Sequence, residues 1–141
     1  MNEDIRRELI MEHYQNPLNR RRSDDNNYVK VNTNNSSCID NIDVYVKVNN
    51  NIIEDITFEG EACAISISST SIMIENLIGK TIQDAKIFIK NFENMIDEKE
   101  YDDTILKSAC AYNEIYKQNN RKNCAFLPYR AIKEVLDKYS N

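Results

Sequence analysis

Three cysteines stand where the chain changes direction. Cys63 follows Gly60 by three residues in FEGEACAISISST, residues 58–70, between a strand-like run and a serine-rich apolar run. Cys38 lies in NNSSCIDN, residues 34–41, a turn-forming stretch that also holds Asp40. Cys124 stands at the expected start of a last helix. A helix N-terminus favours thiolate over thiol, because unpaired N–H groups and the aligned peptide dipoles stabilise negative charge. Two such thiolates, a loop thiolate and a carboxylate are four soft-to-borderline donors, the set that tetrahedral Zn²⁺ or an iron–sulfur centre accepts. No cysteine lies in a CxxC pair, so spacing alone announces neither a zinc knuckle nor a thioredoxin-like motif. Four cysteines could also pair as disulfides in three ways, the weaker reading in a reducing compartment.

The remaining reactive groups read as structural. Cys110 falls within an apolar helical stripe and behaves there as a small hydrophobe. His13, the one histidine, ties down the first helix. The serines after Cys63 are packing residues, since no second histidine exists to activate a nucleophile.

The elements that must position these groups follow from periodicity. Asn2 caps a first helix that ends at Asn16-Pro17. Residues 18–27 read as a loop, and 28–33 as a short strand. Ile42, Val44, Val46 and Val48 alternate with polar neighbours, Asn49–Asn51 turn, and Ile52, Ile56 and Phe58 alternate back, a hairpin with one buried face. Gly60 ends the hairpin and, with Gly79, brackets a helix along Cys63, Ile67, Thr70, Ile74 and Leu77. Thr81 caps a further helix through Ile96. A fourth is expected along Ile105, Ala109, Tyr112 and Tyr116, then a polar stretch, KQNNRKN, and a last helix from near Cys124 with Pro128 in its first turn. The order is that of a single α+β domain, 1–141: an N-terminal helix, then a three-stranded antiparallel sheet with helices packed on one face.

Composition narrows the function classes. The net charge of −5 and scattered basic residues argue against a nucleic-acid partner, and the run Arg20, Arg21, Arg22 reads as a solvated turn. No apolar run approaches the ~18 residues of a membrane span. The N-terminus MNEDIRREL is not a secretory signal, so the protein is expected inside the cell.

Four motifs in order give the sequence a resemblance. HYQNPLN at residues 13–19, Cys38 with Asp40, FEGEAC at 58–63, and Cys124 at the start of the last helix resemble the SufU and IscU family of iron–sulfur cluster assembly proteins, the NifU-like N-terminal domain, over nearly the whole chain. The sixty residues between Cys63 and Cys124, Arg121 three residues before Cys124, and Asn123 where the IscU-like branch has histidine are similar to the SufU branch. The resemblance implies a SufE/NifU-like fold and a Zn²⁺ on Cys38, Asp40, Cys63 and Cys124. It implies a cytoplasmic sulfur acceptor served by a cysteine desulfurase and feeding downstream iron–sulfur assembly or acceptor proteins, at most a zinc-dependent sulfurtransferase. Cys38 would be the persulfide acceptor, and Arg121 would support the site by holding Asp40. The alternative within the family is a scaffold carrying a transient [2Fe-2S] cluster on Cys38, Cys63 and Cys124 with Asp40. The alternative outside it is a structural zinc domain without sulfur chemistry. Ile39 replaces the family's glycine between cysteine and aspartate, and a positive φ there would strain a β-branched residue.

Overall fold

Alternation along Ile42, Val44 and Val46 buries one face of this segment, Tyr45 is buried on the other, and the segment is the centre of the sheet. The computed structural model describes residues 1–139: α1 (Glu3–Gln15), β1 (Val29–Asn34), β2 (Asn41–Asn49), β3 (Ile52–Glu61), α2 (Ala64–Leu77), α3 (Ile82–Ile96), α4 (Asp103–Leu106) and α5 (Asn119–Leu136). The strands are antiparallel in the order β1-β2-β3, with Val44 opposite Phe58 and Val46 opposite Ile56. Asn50 and Asn51, at φ 52° and 64°, make the left-handed two-residue turn whose twist suits a hairpin. Asn2 accepts from the Ile5 N–H at 2.9 Å and Thr81 from the Asp84 N–H at 3.1 Å, so both expected caps form.

The core lies between the sheet and a layer of helices, and α2 runs through it. Residues 66–74 of that helix are all buried, the pattern of a helix surrounded on every side. Its serines allow close approach, and each hydroxyl finds a partner: Ser68 meets the Tyr112 hydroxyl at 2.6 Å, Ser69 donates to the Ala125 carbonyl, and Ser71 meets His13 Nδ1 at 2.7 Å. His13 is structural, as its isolation in the sequence suggests. No helix among the described residues is long and apolar enough to cross a membrane.

Three boundaries and one buried face differ from the periodicity reading. β3 continues through Gly60 to Glu61. The second face of the hairpin is not left to solvent, because the segment after α1 folds over it. Asn19 accepts from the Phe58 N–H at 3.1 Å and Ser23 meets the fully buried Thr57 hydroxyl at 2.9 Å. The expected helix over 105–116 is α4 followed by 3₁₀ turns at Lys107–Tyr112 and Ile115–Lys117. Ala109, Cys110, Ala111 and Tyr112 are buried in succession, with Leu106 and Ile115 buried on either side, so the segment is enclosed by the core and does not present one helical face to it. Finally, α5 begins at Asn119, inside the polar stretch taken for a loop, since the first turns of a helix with one side in solvent need few apolar residues. Pro128 therefore lies in its interior, not its first turn.

Candidate metal centre

The turn from β1 to β2, the end of β3 and the second turn of α5 converge beside the start of α2. Cys38, Asp40, Cys63 and Cys124 each offer one donor atom there, and all four atoms lie within 4.8 Å of one another. A tetrahedral shell with Zn–S bonds of about 2.3 Å has S···S edges of about 3.8 Å, so small rotations close the set on an ion. Three thiols and a carboxylate also match the borderline-soft preference of zinc.

Each donor is placed by its local backbone. Asn35 shapes the turn that carries Cys38: its N–H donates to the Asp40 carbonyl at 3.0 Å, its carbonyl accepts from the Cys38 N–H at 3.0 Å, and its Oδ1 accepts from Ser37 Oγ at 2.8 Å. The same side chain reaches Cys124 Sγ through Nδ2 at 3.8 Å. Ile39 is absent from the positive-φ residues, so the turn closes without the family glycine and without strain there. Its side chain points outward, 69% exposed.

Asp40 is 2% exposed and has a partner on each oxygen. Oδ1 accepts from the Cys63 N–H at 2.7 Å and Oδ2 from Ser66 Oγ at 2.7 Å. Burial works against its charge, yet these hydrogen bonds outweigh it and hold the carboxyl below its ordinary range. Cys63 occupies the N-cap of α2 and makes no capping bond with its own side chain. Asp40 serves instead, an acidic group from another segment at the positive end of the helix.

Cys124 departs from expectation. It stands in the second turn of α5, not at its start, and is 1% exposed. Burial pushes its thiol up to about 12, with Asp40 and Cys63 adding to the effect. The helix N-terminus therefore does not activate this cysteine, and a cation held by the four donors would offset the effect of burial. Arg121, exposed one turn earlier, makes no hydrogen bond to Asp40 among the described residues. Its guanidinium is instead raised by negative charge on Cys63 first, then by Cys124 and Cys38. Cys110 lies outside the group, its Sγ 3.7 Å from the Asp103 carbonyl, and burial raises its thiol.

Asn35 and Ser66 are the residues hydrogen-bonded to the donors that sequence reasoning did not single out. Asn35 carries a weak signal, an Asn two residues before a Ser in a turn. Ser66 stands at the third helical position after the N-cap, where a capping partner is expected, but its acceptor comes from 26 residues away.

The sheet, its helical layer and the gathered three-cysteine, one-aspartate donor set define a small α+β protein with a thiol-rich site that could hold a metal ion. The chain belongs to the family described as NifU-like N terminal domain, which it matches over residues 5–141. It is 38% identical to the zinc-dependent sulfurtransferase SufU of Bacillus subtilis over 133 residues, 94% of this chain and 89% of that protein. It is 34% identical to the iron–sulfur cluster assembly scaffold protein IscU of Thermotoga maritima over 106 residues, 75% of each. Its fold superposes on the crystal structure of FiSufU from Fervidobacterium islandicum AW-1 with a TM-score of 0.88 at 32% identity, covering 96% of this chain and 99% of that one. The family resemblance read from the four motifs and the sheet-and-helix architecture are both borne out.

Proposed function

We propose that this protein is a cytoplasmic zinc-dependent sulfur acceptor of iron–sulfur cluster assembly, loaded at Cys38 by a cysteine desulfurase. The observation that carries the reading is the unequal anchoring of three clustered thiols. Cys124 is buried within α5 and Cys63 begins α2, whereas Cys38 is half-buried on a turn whose next residue faces outward. A loop thiol can reach a partner's site more readily than one fixed by a helix. The likeness to a relative named as a zinc-dependent sulfurtransferase supports the same reading.

Zinc, when bound to Cys38, Asp40, Cys63 and Cys124, supplies the positive charge that keeps these thiols deprotonated at neutral pH. The Cys38 thiolate attacks the outer sulfur of the desulfurase persulfide. A new sulfur–sulfur bond forms on Cys38, the donor's sulfur–sulfur bond breaks, and its electron pair leaves on the donor cysteine thiolate. Arg121, whose charge is drawn to the cysteine sulfurs, steadies the negative charge of the site. Downstream assembly proteins then take the sulfur.

Incubation with a cysteine desulfurase and cysteine, followed by peptide mass mapping, tests the proposal. The added sulfur is expected on the Cys38 peptide and absent from Cys38→Ala. Sulfur mainly on Cys124 would overturn the acceptor assignment. No adduct, with iron and sulfide instead assembling on the protein, would favour the scaffold reading that the IscU relatives suggest.

A further inference from the structure

Ser66 is fully buried, and its hydroxyl lies against three of the four donor residues. It is 2.7 Å from Asp40 Oδ2, 3.1 Å from the Cys124 carbonyl and 3.5 Å from Cys63 Sγ. The Cys124 carbonyl needs an outside donor for a covalent reason: its helical partner would be the N–H of residue 128, and Pro128 has none. Ser66 has one proton and two oxygen acceptors in reach. The carboxylate it holds is also the surrogate cap of α2. Asp40 thus has a complete set of partners at the helix start that does not depend on a metal, and Ser66 has a second acceptor whenever Asp40 turns away.

We propose that Ser66 is a positioning residue of the metal centre, a latch that presents Asp40 to the metal and receives it back when that ligand is exchanged. This rests on the reading of Cys38, Asp40, Cys63 and Cys124 as metal ligands. The latch makes Asp40 the exchangeable ligand of the set, because on leaving the metal its carboxylate has the Ser66 hydroxyl and the Cys63 N–H as partners and no buried charge is left unpaired. Ser69 is the natural control. It is equally buried on the same helix and donates to the Ala125 carbonyl, but touches no donor residue.

Cobalt(II) provides the probe, its affinity read by chelator competition and its geometry by visible absorption of the reduced, reconstituted protein. Ser66→Ala is expected to weaken cobalt binding about 10- to 100-fold, the usual effect of removing a group that orients a ligand, and to shift the spectrum toward that of Asp40→Ala. The loss should disappear when Ser66→Ala is made in the Asp40→Ala background, because the hydroxyl acts through the carboxylate. Ser69→Ala should leave cobalt affinity unchanged while lowering the metal-free melting temperature about as much as Ser66→Ala does. Ser66→Thr, which keeps the hydroxyl, should retain the wild-type spectrum. Equal cobalt affinities in Ser66→Ala and wild type, an undiminished loss in the Asp40→Ala background, or a loss in Ser66→Thr matching that in Ser66→Ala would each overturn the latch. Failure of the wild-type protein itself to bind cobalt would overturn the metal-centre reading, and the latch with it, before any variant is compared.

Discussion

Replacing Gly60 by alanine should damage both the fold and the metal centre, and Gly79 supplies the internal standard. Gly60 has φ +124°, and a Cβ there would sit 2.4 Å from the Asn41 carbonyl oxygen and 2.9 Å from Ile42 Cα. Gly79 has φ +92° but opens on empty space, with no atom within 4 Å of its Cβ position. The backbone conformation alone costs about 1–3 kcal/mol for a residue with a Cβ. Gly79→Ala should show that much and no more. At Gly60 the obstacle is backbone, so β2 and β3 must separate by about 1 Å to restore an ordinary contact, adding about 1–3 kcal/mol. For a domain of this size 1 kcal/mol moves the melting temperature by about 3–5 °C, so metal-free Gly60→Ala should melt about 6–30 °C below wild type and below Gly79→Ala by at least about 3 °C. Asn41 directly follows Asp40 in sequence, Ile42 is the strand partner of Gly60, and Cys63 lies three residues on. The forced separation therefore pulls on two ligands together. Thermal melting with chelator present isolates the fold, and zinc content after reconstitution reads the site. Gly60→Ala melting within about 2 °C of Gly79→Ala with full zinc content would refute the reasoning.

Further outcomes follow from the site. Cys110→Ser should leave bound metal unchanged and Cys124→Ser should lower it sharply, both read by elemental analysis, because Cys110 lies outside the group of four. Asp40→Ala should keep the fold, losing about 1–2 kcal/mol from the uncapped start of α2 in a melt, and should hold metal more loosely. The metal-free protein should lose stability as pH rises from about 8.5, the ordinary thiol value, toward about 12, because folding raises the Cys124 thiol and only its neutral form is favoured when buried. Asp40 acts oppositely: its lowered value gives stability that is present above about pH 4 and lost on acidification. Metal binding should weaken as pH falls, since protons compete for the thiolates, so melts with and without zinc should diverge in their pH slopes.

The hairpin was legible in the chain alone, because alternation at Ile42, Val44 and Val46 has a two-residue period that a helix does not satisfy and Asn50-Asn51 accept the turn. The sequence also singled out Cys38, Asp40, Cys63 and Cys124, which the fold brings within 4.8 Å of one another, since thiols and a carboxylate near turns are chemically conspicuous. Tertiary structure decided their environments. Cys124 looked like an activated helix-start thiol because Asn- and Lys-rich residues resemble a loop, yet α5 begins five residues earlier and buries it. The helical pattern expected over 105–116 gives way to 3₁₀ turns in which residues 109–112 are all buried, because this segment is enclosed by the core and not laid along it on one face. Ser66 and Asn35 were the least legible. Their roles are hydrogen bonds to Asp40 and to Cys124, 26 and 89 residues away, and a pairing across such distances leaves no periodicity in the chain that forms it.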